Sequence, residues 1–170
     1  PPAADPPDAA VPAPPAVALR APRGVAVLRG GDATDAADEA RAGNHDLVAD
    51  ADTAASVSVA DVAGAASARQ FLTETDFDAE TVYIERHVVG ECYEQRLCWI
   101  RWTDEEIETS YARVLRPADV ACAAADRVGI THLIRLPAVL EPDSISRFGS
   151  GSRAGVCRSQ TGSGQSEGEP

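Results

Sequence analysis

The sequence predicts a mainly β protein of the α+β type, an antiparallel β-meander or small sandwich with one packed helix and two disulfides. The segment 71–136 holds both tryptophans, all three tyrosines and three of the four cysteines. Its runs alternate β-branched or aromatic residues with polar ones, which is typical of strands. The cysteines are even in number and lack zinc-binding or redox spacing, which favours two disulfides.

The N-terminal 22 residues contain most of the prolines. Proline fixes an extended backbone and removes a hydrogen-bond donor, so this segment is predicted to be a semi-rigid linker or stalk that is disordered on its own. A single disulfide-bonded domain is then expected at 23–158. Residues 159–170 carry nothing large and apolar to bury, which predicts a disordered tail.

Between the stalk and the first long strand, the spacing of apolar residues indicates secondary structure less clearly. Short strands are expected at 24–29 and 45–49, with a loop at 32–41 between them. From Ser58 to Leu72 the apolar residues are spaced as on a helix, with Ser58 or Asp61 as the candidate N-cap. This helix is predicted to pack on the sheet.

Four longer strands follow from the alternation, at Thr81–Val89, Glu94–Trp102, Glu106–Leu115 and Gly129–Leu136. A last strand or sheet edge is expected at Ser144–Phe148. The Gly/Ser-rich segment 149–155 is expected to be flexible until Cys157 holds it.

A turn at 103–105 predicts a hairpin in which facing residue numbers sum to about 208. Its core face would carry Leu97 and Trp99 opposite Ile107, Thr109 and Tyr111. The second face would be partly covered or wet. It would carry Ile100 and Trp102, an aromatic rimmed by charges that we take as a possible surface for a protein partner. In the alternative, Phe148 and the segment leading to Cys157 cover Trp102.

Strand geometry limits the disulfide pairing. Cys92 and Cys98 on one extended strand would be about 20 Å apart, beyond the roughly 4.4–6.8 Å between Cα atoms that a disulfide allows. We therefore predict Cys92–Cys122 and Cys98–Cys157, the second of which would draw the C-terminal segment over the partly covered face. The pairing Cys92–Cys157 with Cys98–Cys122 stays open, and a local Cys92–Cys98 bridge requires a strand that begins later.

The net charge is −12, and all 15 basic residues are arginine. A charge this negative repels a phosphate backbone and disfavours nucleic-acid binding. No run of 18 or more apolar residues is present, so we expect membrane attachment only through an anchor outside this chain, with any signal peptide before Pro1 removed or omitted. The lysine-free, Asp-rich composition resembles that of haloarchaeal proteins, whose acidic surfaces keep them soluble in concentrated salt; the alternative is an acidic protein from another organism with a GC-rich genome.

Over residues 46–157 the chain resembles a group of haloarchaeal secreted proteins, many of them predicted lipoproteins. The resemblance rests on the run TDFDAETVY at Thr75–Tyr83, the later RPADVAC run, and the cysteine positions. It implies an exported, disulfide-bonded β module attached through a Pro-rich stalk. The group has no assigned activity, so no catalytic residue is carried over.

Residues that could support catalysis or metal binding are few. The histidines His45, His87 and His132 lie in predicted strands, and the chain has no GxSxG motif, so a hydrolase is the least favoured hypothesis. Asp76, Asp78 and Glu80 have the alternate spacing of oxygen ligands for Ca²⁺, but lack the glycine and downstream glutamate of an EF-hand loop. The simpler interpretation is a capped turn with charges facing water, and no cofactor is expected.

These observations predict a non-enzymatic extracellular or cell-surface module of a halophile, acting in surface structure or in binding another cell-surface protein. The alternative is a module that binds a small ligand or Ca²⁺.

Overall fold

The computed structural model describes residues 10–25, 27–29 and 45–158. In chain order its strands are β1 (Val11–Pro12), β2 (Ala16–Pro22), β3 (Leu28–Arg29), β4 (His45–Val48), β5 (Ser58–Val59), β6 (Thr81–Gly90), β7 (Tyr93–Trp102), β8 (Glu106–Leu115), β9 (Arg127–Leu136) and β10 (Arg147–Ala154). Its helices are α1 (Ala51–Ser56) and α2 (Ala65–Glu74), with a 3₁₀ turn at Pro142–Ser144. None of the helices in these ranges has the length and apolar character needed to cross a membrane.

Eight strands form two four-stranded sheets. Sheet A has the order β1-β7-β8-β10, sheet B has the order β2-β9-β6-β4, and β3 pairs with β5 in a small separate ribbon. All neighbouring strands are antiparallel except β10, which runs parallel to β8. The predicted mainly β fold is confirmed. Of the two arrangements predicted, the structure has the small sandwich, because the β7–β8 hairpin lies in one sheet while β6 and β9 pair in the other.

The alternating side chains of β6 contact the layers on both sides of sheet B, so α2, sheet B and sheet A form three layers. Val82 and Ile84 join an apolar cluster with α2, whose buried face includes Ala68 and Phe71. Tyr83, between them, belongs to a second cluster that contains residues from both sheets. Successive side chains of a strand point to opposite faces. Sheet B is therefore covered by α2 on one side and by sheet A on the other.

The hairpin has one irregularity that changes the faces of β7. Leu97 lies opposite Tyr111 as predicted, but Trp99 lies opposite Ser110, so the extra residue Cys98 forms a β-bulge. A one-residue shift moves every later side chain of the strand to the other face. Ile100 therefore joins the buried cluster between the sheets, while Trp99, predicted to be core, is half-buried on the outer face.

Both predicted disulfides are confirmed. Cys92 pairs with Cys122 and Cys98 with Cys157, at Cα–Cα distances of 5.3 and 5.2 Å. Ala112 follows the inward-facing Tyr111 and so points outward, yet it is completely buried, which shows that this part of the outer face of sheet A is covered.

The predictions for the C-terminal segment were wrong in two respects, since residues 149–154 were expected to be flexible and to be drawn over the outer face. Arg147–Ala154 is a strand that pairs along β8 from Glu106 to Arg113, and it does not lie over the outer face. Glycine and serine residues are poor strand formers, so the pairing comes from the neighbouring strand and from the anchored Phe148 side chain rather than from local propensity.

The predicted stalk was wrong for its second half. Ala16–Pro22 is strand β2, which pairs with β9 over seven residues and buries Leu19 completely. Pro22 stands at the end of the strand, where a missing donor costs least. The domain boundary predicted at 22–23 would therefore separate β2 from the sheet to which it belongs. The predicted linker at 1–9, loop at 32–41 and tail at 159–170 lie outside the described residues.

The helix was predicted to begin too early. It starts at Ala65 with Gly64 as N-cap, whereas Ser58 belongs to β5 and Asp61 precedes the helix in a bend. Gly64 has φ +91°, and a Cβ there would lie 2.5 Å from the backbone oxygen of Ala18. Only glycine fits this close approach between the start of α2 and β2.

Candidate functional site

A polar cluster lies between the sheets beside the apolar interior. Glu85 is 3% exposed and faces Thr109 and Tyr111 of sheet A. The Tyr111 hydroxyl donates to Oε2 of Glu85 at 2.5 Å, and the Thr109 hydroxyl donates to the same atom at 2.8 Å. Nε2 of His87 is 3.6 Å from it. A buried carboxylate thus joins the facing sheets.

The ionisation of Glu85 is set by two opposing effects. Burial alone raises the pKa of a carboxyl group, because water no longer solvates the charge. Here the contacts with His87, Tyr111 and Thr109 outweigh burial, and the pKa of Glu85 is lowered. Glu85 is therefore an anion at neutral pH.

The two tyrosines around this carboxylate are held neutral. Burial, reinforced by the negative charge of Glu85, raises the pKa of both Tyr83 and Tyr111. Tyr111 uses its proton in the bond to Glu85. The buried Tyr83 hydroxyl makes no hydrogen bond of good geometry within the described residues, although Glu85 is close enough to raise its pKa.

His132 extends the cluster towards β7. It is paired directly with Glu85 across the strands of sheet B, and its Nε2 donates to Oε1 of Gln95 at 2.8 Å. Burial lowers the pKa of His132 to about 3, with a smaller contribution from His87 in the same direction. The imidazole is therefore neutral. Its ring lies 4.6 Å from that of Tyr111, which in turn lies 4.7 Å from His87.

The cluster opens into a cavity of about 130 Å³. His45 and Phe148 line it as stacked rings with centroids 4.0 Å apart. The hydroxyl in its lining belongs to Ser150, which lies 3.0 Å from Oγ1 of Thr109. This opening is far below the roughly 300–1,000 Å³ of ordinary ligand pockets.

The chemistry available to this cluster is limited. A carboxylate beside a histidine can in principle exchange a proton. The Ser150 hydroxyl, however, bonds to Thr109 and so is not activated by a base, and Glu85 already accepts two hydrogen bonds. The arrangement favours a polar contact that fixes the packing of the sheets.

The predicted calcium ligands are used inside a turn. Oδ1 of Asp76 accepts from the backbone N–H of Asp78, and Oε1 of Glu80 accepts from that of Asp76. Glu80 also lies 3.9 Å from Arg135. Within the ranges that the structure covers, no group of three or more His, Cys, Asp or Glu side chains is arranged to hold a metal ion. The geometry fits the capped turn rather than a Ca²⁺ site.

The predicted partner surface is altered by the bulge at Cys98. Ile100 is 0% exposed and cannot contribute to a surface. The bulge also turns Trp102 inward, where it is half-buried against the cluster between the sheets, beside Ile107, which pairs on its other side with Phe148. Phe148 thus packs in the same row as Trp102 instead of covering it.

Sequence reasoning placed His87 and Glu85 on one strand face but missed the cluster. Charged residues of a strand alternate with apolar residues whether they face the interior or the solvent. The alternation therefore does not show which charged residues are buried. The signal that exists is the direct cross-strand pairing of Glu85 with His132, which requires the β6–β9 register.

Comparison with family models, with curated proteins and with solved structures found no match to this chain.

Proposed function

We propose that this protein is a non-enzymatic module of the extracellular surface of a halophile, acting in surface structure or in binding a cell-surface partner. The observation that carries the proposal is the pair of disulfides, which joins β7 and the turn before it to two separate segments of the chain. Such bonds are typical of proteins that fold in an oxidising compartment, where structural disulfides form and persist.

The use of the buried polar groups supports a structural role for the interior. Glu85, Tyr111, Thr109, His132 and Gln95 are engaged with one another across the two sheets. Removing any of them for a reaction would leave another buried polar group unpaired, which is costly. A small opening beside this cluster gives little room for a substrate.

The charge supports the halophile assignment. Twenty-seven acidic residues against 15 arginines leave a surface that repels itself in dilute solution and is screened in concentrated salt. Trp102, predicted for the partner surface, is half-buried and packs against the cluster between the sheets, so the partner part of the proposal names no contact residue.

The proposal is tested on protein made in its native host. Intact cells are treated with an added protease, and the protein is then mapped by mass spectrometry without reduction. We expect protease access from outside together with peptides joined as Cys92–Cys122 and Cys98–Cys157. A cytoplasmic control protein must survive the same treatment. Protection of this protein in intact cells, with four free thiols, would refute the proposal.

A further inference from the structure

A second cavity, of about 550 Å³, lies at one end of the sandwich. Its charged lining consists of four arginines, Arg20, Arg23, Arg116 and Arg127, and two carboxylates, Glu91 and Asp126. Its volume is within the range of pockets that hold small ligands. The residues come from β2, from the start of β9 and from the loops around β7 and β8, so only the fold brings them together.

The charge of this cavity is opposite to that of the chain. Four arginines and two carboxylates leave two positive charges in a protein whose net charge is −12. Burial, and the neighbouring Arg116, lower the pKa of Arg20, and the carboxylates of Glu94 and Glu91 offset only part of this effect. An anion bound in the cavity would relieve this repulsion.

The guanidinium groups are positioned by the backbone. Arg20 donates from Nη1 to the Tyr93 oxygen at 2.9 Å and from Nη2 to the Glu91 oxygen at 2.5 Å. Arg116 donates from Nη1 to the same Glu91 oxygen, at 3.5 Å. Two cations therefore converge on one carbonyl group, and each guanidinium has further N–H groups beyond those used here.

A rigid frame surrounds these arginines. The disulfide Cys92–Cys122 adjoins Glu91, and the N–H of Arg116 donates to the Cys92 oxygen at 2.9 Å. The N–H of Glu91 donates to the Asp126 oxygen, also at 2.9 Å. A preformed site loses less entropy when it binds a ligand than a flexible one does.

We propose that this cavity binds a small multivalent oxyanion, one that carries phosphate, sulfate or clustered carboxylate groups. Planar guanidinium groups bind such oxygens through paired hydrogen bonds. A ligand with several oxygens can also compete with chloride in concentrated salt, where a single charge is screened. The inference supplies a ligand class for a module proposed above to act by binding, and it rests on that proposal.

The test is isothermal titration of the full chain with its disulfides intact, in KCl at constant ionic strength. Sodium sulfate, sodium phosphate and sodium citrate are titrated separately. We expect one site for at least one of these anions. Arg116→Gln and Arg127→Gln should weaken binding by about tenfold or more each, since each removes a charged donor.

The matched control is Arg147→Gln. It makes the same charge change at the opposite end of β8, where Arg147 is 3.5 Å from Glu106 and its side chain is 68% exposed. Binding should be unchanged in this variant. If Arg116→Gln does not fold, Arg127→Gln decides, because Arg127 is exposed and donates only a long bond, 3.4 Å, to the Val88 oxygen.

Either of two results would overturn the inference: no saturable heat with any of the anions, or equal affinity in the wild type and in the cavity variants. Binding of citrate alone would assign a polycarboxylate, and binding of sulfate or phosphate alone a tetrahedral anion. The localisation experiment above does not depend on this outcome, so a failure of one proposal is distinguishable from a failure of the other.

Discussion

Glu85 connects the two sheets through two donors on the facing strand β8, while His87, on its own strand, lies 3.6 Å from the carboxylate. Each donor stabilises the anion, so the loss of one leaves a buried charge less well compensated. The cluster is therefore sensitive to substitutions that change a single hydrogen bond.

Tyr111→Phe keeps the ring and removes only the hydroxyl that donates to Glu85. We expect it to lower the free energy of unfolding by about 2 kcal/mol, the size of a hydrogen bond to a charged group. Urea unfolding at neutral pH measures this change. Tyr93→Phe, on a half-buried ring beneath Arg113, is the control and should change stability by less than about 0.5 kcal/mol. Equal effects of the two substitutions would contradict the role given to Glu85.

The buried, neutral His132 should make the stability of the protein depend on pH. Its pKa is about 3 in the folded protein, against about 6.5 in an unfolded chain. Between these values the unfolded state binds a proton that the folded state does not, so stability falls as pH falls. From pH 7 to pH 5 we expect a loss of about 2 kcal/mol.

Urea unfolding at pH 7 and pH 5 tests this, with His132→Gln as the comparison. The variant cannot take up the proton, and its stability should change less over this interval. Glu85 acts in the same direction, since its folded pKa is lowered, but mainly below about pH 5, as the glutamate of the unfolded chain, with a pKa of about 4.3, takes up its proton. A wild type as stable at pH 5 as at pH 7 would disprove a neutral buried His132.

At the scale of elements, the strands of the hairpin could be predicted because their side chains alternate, and β8 has the predicted bounds Glu106–Leu115. The bulge at Cys98 could not be predicted, since an extra residue does not change the composition of the strand. Strand β10 was predicted only at its first two residues, because GSGS has no apolar alternation and pairs only where β8 offers an edge. The arginine cavity combines positions about 100 residues apart, so no local pattern signals it.

The disulfide Cys98–Cys157 is expected to hold β10 in place. Replacing both cysteines by serine removes a crosslink between residues that are 59 apart in the sequence. The chain-entropy model gives such a crosslink a stabilisation of about 4 kcal/mol. Amide hydrogen exchange should then become faster in β10 than in β6. The paired substitution of Cys92 and Cys122 is the control, with a comparable loss of stability and no selective effect on β10. Uniform exchange in both variants would contradict this prediction.

Substituting two glycines by alanine tests the close approach between the start of α2 and β2. Gly64 and Gly24 both have positive φ, +91° and +86°, but only at Gly64 would the Cβ of a substituted residue meet the backbone of another strand. Gly24→Ala should cost about 1 kcal/mol through its conformation alone. Gly64→Ala should cost at least about 2 kcal/mol more, because the Ala18 oxygen would have to move. Thermal unfolding compares the two, and equal losses would show that α2 can shift freely on β2.

For the whole molecule, the acidic surface predicts dependence on salt. The net charge of −12 destabilises the compact state when it is unscreened. We expect the midpoint of thermal unfolding to rise steeply between dilute buffer and about 1 M KCl, where the screening length falls to about 3 Å. Choline chloride at the same ionic strength is the control for screening alone. A midpoint that is independent of salt would contradict the proposal that the protein comes from a halophile.

The two disulfides also determine how the chain must be oxidised. In sequence order the cysteines are 92, 98, 122 and 157, and the native bonds join the first to the third and the second to the fourth. A chain oxidised in the order of its synthesis would join Cys92 to Cys98 and trap a wrong bridge between β7 and the turn before it. Correct pairing therefore requires either that the hairpin forms before its thiols react or that an isomerase exchanges the first bond.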